Sequence, residues 1–360
     1  MKTLLRLLLK SQHQKNISGP VQTEKGMTLV ELLVGAIMAF LIITPMLAFV
    51  VDMLNTDRRE QVKSNTEQDL QAAVDFIAQD LSQAIYIYDN NPVLTTATTT
   101  GTGIPDIKNQ LPPNTTGTPI LVFWKRQQIK NAVPINTISG SATKLSECGD
   151  PKDGRCNDTY VLSLVAYYQV KDSDPTWCQP SGSPGSCPTR ITRYEIRDGV
   201  KNPYATSADP NFPYYSTTDQ KEDAPDPAFN TSFNINKPTV SVTNPGLTAS
   251  SGNPQVLVNY IDHTTGASVP QPPSCKDTLG VVDPTGPGAT AINPSDLLIT
   301  DGATNSFYAC VDTSKNIARV TIRGNSLRRL QANDADFKTT SSAFFPTATV
   351  QVKGLGARGK

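Results

Sequence analysis

Histidine is nearly missing from this 360-residue chain: only His13 and His263 occur. Most acyl-transfer and hydrolytic chemistry needs a side chain that gains and loses a proton near neutrality, and histidine is the usual one. His263 stands beside Asp262 at the end of a candidate strand, where a lone histidine is expected to be a surface residue. There is no Gly-x-Ser-x-Gly elbow, His-Glu-x-x-His pair or complete Gly-x-x-x-x-Gly-Lys-Ser/Thr phosphate loop, and the one Gly-x-Gly-x-x-Gly string, Gly354 to Gly359, precedes no helical pattern in this sequence. An enzyme, and an ATPase or dinucleotide-binding domain in particular, is therefore not expected, nor is a cofactor. An excess of charge is missing too: 32 basic residues face 32 acidic ones. That balance does not suggest nucleic acid, whose binders carry a basic patch. Cys-x-x-Cys pairs are likewise absent, which argues against a zinc site.

What the chain does have is one long apolar run. Met27 to Val51 holds a single ionisable side chain, Glu31. A helix of that length spans a bilayer core of roughly 30 Å. A carboxylate inside such a span costs roughly 2.5–3.5 kcal/mol on insertion scales, so it needs a partner or a role. The preceding residues hold Lys2, Arg6, Lys10, Lys15 and Lys25 against Glu24 alone, which predicts a cytoplasmic N-terminus and an outward body. Without those 26 residues the net charge becomes −4, from 27 basic and 31 acidic side chains. An ordinary secretory signal is a poor fit, because its apolar core is about 7–15 residues and ends in a small-residue cleavage site. Ala48-Phe49-Val50-Val51 offers no such site.

The string Lys25-Gly26-Met27-Thr28-Leu29-Val30-Glu31-Leu32-Leu33-Val34-Gly35 resembles the class III signal of type IV pilins and pseudopilins. The resemblance implies that a prepilin peptidase cuts between Gly26 and Met27, that Met27 carries the free or methylated amine, and that Glu31 is fifth in the mature chain. Two departures are Met27, where the family usually has phenylalanine, and a leader of 26 residues. Residues 68–84 further resemble the helix of the larger minor members, the J-type pseudopilins of type II secretion and the W-type minor pilins. Residues 318–323 resemble their late strand. Residues 344–352 are similar to cyanobacterial pseudopilins tied to hormogonium polysaccharide secretion. The fold implied is α+β and pilin-like: a long N-terminal helix, half in the membrane, laid on an antiparallel sheet. The partners implied are the prepilin peptidase, other pilins or pseudopilins, and an assembly ATPase with its platform protein. The location implied is the plasma membrane, single-pass, with an extracytoplasmic body that later joins a filament. The competing reading is an uncleaved single-pass anchor carrying an adhesive or carbohydrate-binding module.

Beyond the span the helical period continues. Val62, Leu70, Val74, Ile77, Leu81 and Ile85 fall on one face, with Arg58, Arg59, Lys63, Glu67, Gln71 and Gln79 opposite. Residues 27–51 are thus expected as a transmembrane and assembly helix and 52–88 as its amphipathic continuation, one helix ending near Ile85. Pro45 should kink or loosen it, and Thr44 can partly satisfy the freed backbone groups. Residues 89–360 form a β-rich domain with candidate strands at 120–126, 160–170, 191–197, 256–261, 307–311, 317–323 and 347–352. The segment 312–316 is a good hairpin connection. Long loops are expected at 89–118, 200–254 and 264–305. The aromatic content of 200–254, including Tyr204, Phe212, Tyr214, Tyr215, Phe229 and Phe233, argues for a packed insertion there. The six cysteines, Cys148, Cys156, Cys178, Cys187, Cys275 and Cys310, all follow the span, an even number suited to disulfides in an oxidising compartment. Local closure favours 148–156 and 178–187, leaving 275–310. The segment 150–158 places Asp150, Asp153 and Asp158 in one short loop where calcium could bind, though the spacing matches no standard ligand pattern and no metal is assigned.

Overall fold

The computed structural model describes residues 28–90, 93, 107–113, 116–135, 156–179, 187–208, 212–214, 224–230, 247–248, 251–266, 268–286 and 290–356. The first helix, α1, runs over Leu29–Ser82 and contains Pro45 without a break in helical assignment. Among the described residues nine strands follow: β1 (Ala84–Ile87), β2 (Gly117–Pro134), β3 (Cys156–Val170), β4 (Thr189–Arg197), β5 (Gln255–Ile261), β6 (Leu298–Thr300), β7 (Phe307–Asp312), β8 (Ile317–Arg323) and β9 (Thr347–Lys353). Among the described residues, short α-helices lie between them: α2 (Cys275–Leu279), α3 (Pro294–Leu297) and α4 (Leu327–Leu330). Strands β1 to β5 form one antiparallel sheet in chain order, and β6 to β9 form a second. This is the α+β arrangement expected, with a long apolar N-terminal helix on antiparallel sheets.

By contacts the chain divides into two units, residues 1–58 and 59–360. In the first, Thr28 caps α1. Its hydroxyl accepts the Glu31 N–H at 3.3 Å, and its carbonyl accepts the Leu32 N–H. Every large hydrophobic side chain from Leu29 to Leu54 is exposed, and the helix is long and apolar enough to cross a membrane. A helix that is apolar on all sides suits a lipid surrounding better than water.

In the second unit α1 buries one face only. Thr66, Leu70, Ala73, Val74, Ile77, Asp80 and Leu81 are buried, while Glu67, Gln71 and Gln79 are exposed. The buried face joins Ile87, Phe123, Tyr167 and Ile191 of the first sheet and Phe307, Val320 and Ile322 of the second in one core. At residues of this kind, truncation to alanine typically costs about 2–5 kcal/mol. The two sheets meet through an isolated bridge between Ile261 and Gly324. Gly324 lies directly under the helix: an added Cβ would sit 2.9 Å from both Leu70 Cδ1 and Thr66 Cγ2.

The helix ends earlier than its apolar period suggested. The Ser82 hydroxyl donates to the Gln79 carbonyl at 2.7 Å and the Gln83 N–H to the Asp80 carbonyl at 3.1 Å, closing the last turn. Residues 84–87 then leave as β1, pairing with β2 at Lys125, Trp124 and Phe123. Ile85 is thus a strand residue rather than the last member of the helical stripe. Segment 264–305 is not one loop: it holds α2, α3 and β6 and is tied by a disulfide.

The β7–β8 hairpin turns where expected. The Asp312 carboxylate accepts the Ser314 and Lys315 N–H groups, and Asn316 takes the left-handed conformation at φ 52°. That conformation turns the Asn316 side chain onto β1. Its carbonyl oxygen accepts the Ile87 N–H at 3.0 Å and its amide donates to the Ala84 carbonyl at 3.0 Å. The Thr313 hydroxyl donates to the Ile87 carbonyl at 3.1 Å. Gly354 and Gly356 then pass so close to β1 that a Cβ on either would collide with the Ala84 or Ile85 carbonyl.

Candidate functional site

The expected processing site, Gly26 and Met27, lies outside the described residues, whereas Glu31 lies within them. Glu31 occupies the third helical position after its cap, Thr28, and its side chain is exposed. A carboxylate there is favoured by the positive end of the helix dipole. The Thr-x-x-Glu order is also the capping-box pattern, a local helix-start signal written in the residues themselves. Among the described residues no hydrogen bond or ion pair to the Glu31 carboxylate occurs, so its charge is available to a group from outside. At Pro45, the Thr44 hydroxyl donates to the Phe40 carbonyl at 2.8 Å. This is not the acceptor that proline orphans, which is the carbonyl of Leu41, four residues back.

Two of the three expected disulfides are seen. Cys178 pairs with Cys187, and Cys275 with Cys310. Cys156 is also disulfide-bonded, while Cys148 lies outside the described residues. Cys275 and Cys310 anchor a small core of their own with Leu279, Val281 and Leu297. Of the acidic loop, Asp150 and Asp153 lie outside the described residues. Asp158 accepts the Asn131 N–H at 2.9 Å and the Gln128 side-chain amide at 2.8 Å. It therefore supports the irregular end of the β2–β3 hairpin, where the register shifts between Ile129 and Val133. Of the aromatic residues in 200–254, Tyr214 is buried against Asp198, and Phe229 meets Trp124 edge-on. Tyr204 and Phe212 are exposed. Tyr215 and Phe233 lie outside the described residues.

Two groups of buried charge were not foreseen. In the first, Asp80 of α1 points into the first sheet. Lys125 of β2 reaches Asp80 Oδ1 and Glu195 Oε1, each at 3.0 Å. Arg193 of β4 reaches Asp80 Oδ2 at 2.7 Å and Glu195 Oε2 at 2.6 Å, and the Tyr167 hydroxyl donates to Asp80 Oδ2 at 2.7 Å. Two cations thus face two anions. Burial raises the Asp80 and Glu195 pKa values, but the Arg193 and Lys125 charges and hydrogen bonds outweigh it, so both carboxyls stay below their usual range. Burial and the Asp80 charge push the Tyr167 hydroxyl up, which keeps it a donor. The position of Asp80, three residues after Ile77 and one before Leu81, already put it on the buried face. A stripe counted from apolar residues alone passes over it.

The second group includes His263, which is buried rather than on the surface. Its Nε2 lies 2.7 Å from Arg328 Nη2 and 3.2 Å from Asp336 Oδ1. Burial, followed by the Arg328 and Lys171 charges, pushes its pKa down to about 4, so it is neutral near pH 7. Among the described residues no group of three or more His, Cys, Asp or Glu side chains is arranged to hold a metal ion.

Scans against protein-family models, curated proteins and solved structures returned no match to this chain. The long apolar helix on antiparallel sheets, with its disulfides, is compatible with a pilin-like fold, and that is as far as the architecture identifies it.

Proposed function

We propose that this protein is a minor pilin or pseudopilin: a noncatalytic subunit cut after Gly26, methylated at Met27 and docked into a filament through Glu31. The observation that carries this reading is a change of character along one helix. From Leu29 to Leu54 the large hydrophobic side chains of α1 are exposed, as a span needs. From Thr66 to Leu81 it buries a single face in the core, as a scaffold helix needs. The Gly26-to-Glu31 string stands at the start of that helix. In the membrane, the Glu31 carboxylate of an incoming subunit pairs with the amine of a neighbour, which lowers the cost of burying both charges and sets the axial register. The size of the β-rich domain favours a low-copy place near the tip, because a shaft subunit packs on every side. The filament belongs to a type IV pilus or a type II secretion-like machine, serving motility or the export of protein or polysaccharide. Its partners are the prepilin peptidase, sibling pilins, and an assembly ATPase with its platform protein.

The test has two arms. Gly26→Val should block processing, so that the N-terminus found by mass spectrometry is no longer Met27. Glu31→Leu should be processed and inserted normally but excluded from filaments recovered by shearing. Normal incorporation of Glu31→Leu sinks the docking role.

The Thr28 cap favours one second reading. A glutamate at the third position of a capped helix already has a local helix-stabilising role, as in a plain anchor bearing an adhesive or carbohydrate-binding module. Such an anchor keeps its first 26 residues in the wild-type protein, which the same mass measurement detects.

A further inference from the structure

Just beyond the end of β5 the chain lines a polar cleft of about 330 Å³, whose walls include Lys171, His263, Thr264, Arg328, Asn333 and Asp336. Its chemistry is set by two side chains that are almost fully enclosed, His263 at 6% exposure and Arg328 at 3%. A guanidinium can only donate, so at 2.7 Å from Arg328 Nη2 the imidazole Nε2 must accept. The histidine proton then sits on Nδ1. Nδ1 is buried and has no hydrogen-bond partner, and the same is true of Arg328 Nε. Two orphaned donors side by side are unusual, since the large majority of buried polar groups are paired.

The local charge points the same way. Arg328 is held through Nη1 by the Ala332 carbonyl, but among the described residues no carboxylate lies within ion-pair distance of it. Asp262, next to His263 in sequence, is already engaged: it takes Arg323 Nε at 2.9 Å, the Thr264 N–H at 3.0 Å and the Thr264 hydroxyl at 2.7 Å. Asp336 is the acidic side chain within ion-pair distance of the imidazole among the described residues, and it is 63% exposed. Asp334, also in the wall, is paired with Lys338 at 2.6 Å, so Arg328 and Lys171 against Asp336 leave one positive charge in excess. Burying a guanidinium without a counter-charge is strongly unfavourable unless something supplies one.

We propose that this cleft is a binding site for a singly charged carboxylate, carried by a ligand of monosaccharide or amino-acid size. The carboxylate meets the exposed Lys171 ammonium, and small rotations of the Arg328 guanidinium and the His263 ring present their buried Nε and Nδ1 donors to it. A dianion suits the site less well, because Asp336 repels the second charge. The volume is at the small end for ligand pockets, which excludes a large group. This proposal is independent of the filament reading.

The chain has only two histidines, so histidine-selective NMR of the full protein in detergent micelles reports on the cleft directly. His263→Gln assigns the signal. Addition of D-glucuronate at about pH 7, where the imidazole is neutral, should move the His263 nitrogen signals saturably. Acetate should act on the same signals more weakly, inorganic phosphate should bind at least about tenfold more weakly than glucuronate, and glucose should have no effect. Arg328→Met should weaken glucuronate binding about 10- to 100-fold, as the loss of a charge-assisted pair does. Should Arg328→Met unfold the protein, Lys171→Met at an exposed position carries the test, with an expected loss of about threefold. No movement with any probe overturns the proposal. So does phosphate binding as tightly as glucuronate, or an unchanged affinity in Lys171→Met.

Discussion

The two buried charge clusters share one unit and one core, yet they are built on opposite plans. Around Asp80 every charge meets an opposite one: Lys125 and Arg193 each touch both Asp80 and Glu195, and Tyr167 supplies a neutral donor. Around His263 a buried guanidinium has a neutral ring and a carbonyl for company, and two N–H groups have no acceptor. The first cluster is charge-balanced within the chain, with only Glu195 Oε1, 3.0 Å from Lys125 Nζ, lacking a hydrogen bond, and it spans three strands and a helix, so it acts as a register pin between α1 and the first sheet. The second is complete only with something added. A closed network of buried charge is a feature of the fold, and an open one is a candidate binding site.

That contrast can be broken by mutation. Arg193→Met should be the most damaging change, because it leaves Asp80 and Glu195 with Lys125 alone in the interior. Loss of one member of a buried ion cluster typically costs about 3–5 kcal/mol, readable in chemical denaturation. A second expectation comes from pH. The His263 pKa is held at about 4 in the folded protein against 6.5 for a solvated histidine, so the unfolded chain takes up a proton that the folded one refuses. The associated stability is complete above pH 6.5 and lost as pH falls toward 4. Its size is about 3 kcal/mol, since each tenfold change in proton affinity is worth about 1.4 kcal/mol. His263→Gln should remove this slope. The lowered Asp80 and Glu195 pKa values place the failure of the other cluster below that window, in the ordinary carboxylate range and under it. The two clusters should therefore fail in separate pH windows of an acid titration. The smallest effect should belong to Arg328→Met, which breaks no ion pair with a carboxylate and costs about 1 kcal/mol through lost hydrogen bonds. If Arg328→Met proves as damaging as Arg193→Met, the distinction between closed and open clusters is wrong.

Much of this architecture was legible where a local signal and the tertiary environment agree. The β7–β8 hairpin appeared in full because Asp312 to Asn316 are turn residues with local partners. The Cys178–Cys187 closure was likewise short-range, and the apolar stripe at Leu70, Val74, Ile77 and Leu81 fits a helix wherever it packs. The misses share a cause as well. Residues 84–87 continue the helical period through Ile85 and hold no glycine or proline, so nothing local announces β1. Its partners arrive from β2 and from Asn316, far along the chain. Leu298–Thr300 is too short to show a strand period. Asp80, Lys125, Arg193 and Glu195 are spread over distant parts of the sequence, and charge patterning along a chain cannot pair them. His263 resembled a surface residue because it follows a strand. Its burial comes from Arg328 and the residues after it, 65 positions later.

The Asn316 side chain on β1 also bears on how this protein avoids self-association. β1 ends the first sheet, and an edge strand exposes a row of backbone donors and acceptors to any other extended chain. Here the Ile87 N–H and the Ala84 and Ile87 carbonyls are all occupied by Asn316 and Thr313, at separations of 226 to 232 residues. The Gly356 N–H adds a bond to the same Ala84 carbonyl. In a chain that emerges N-terminus first, β1 and its neighbours are therefore present long before the residues that seal them. Until residues 313–356 arrive, the young protein carries an open template for aggregation, and its need for protection during synthesis is set by residues that lie 226 to 232 positions downstream of the strand they seal.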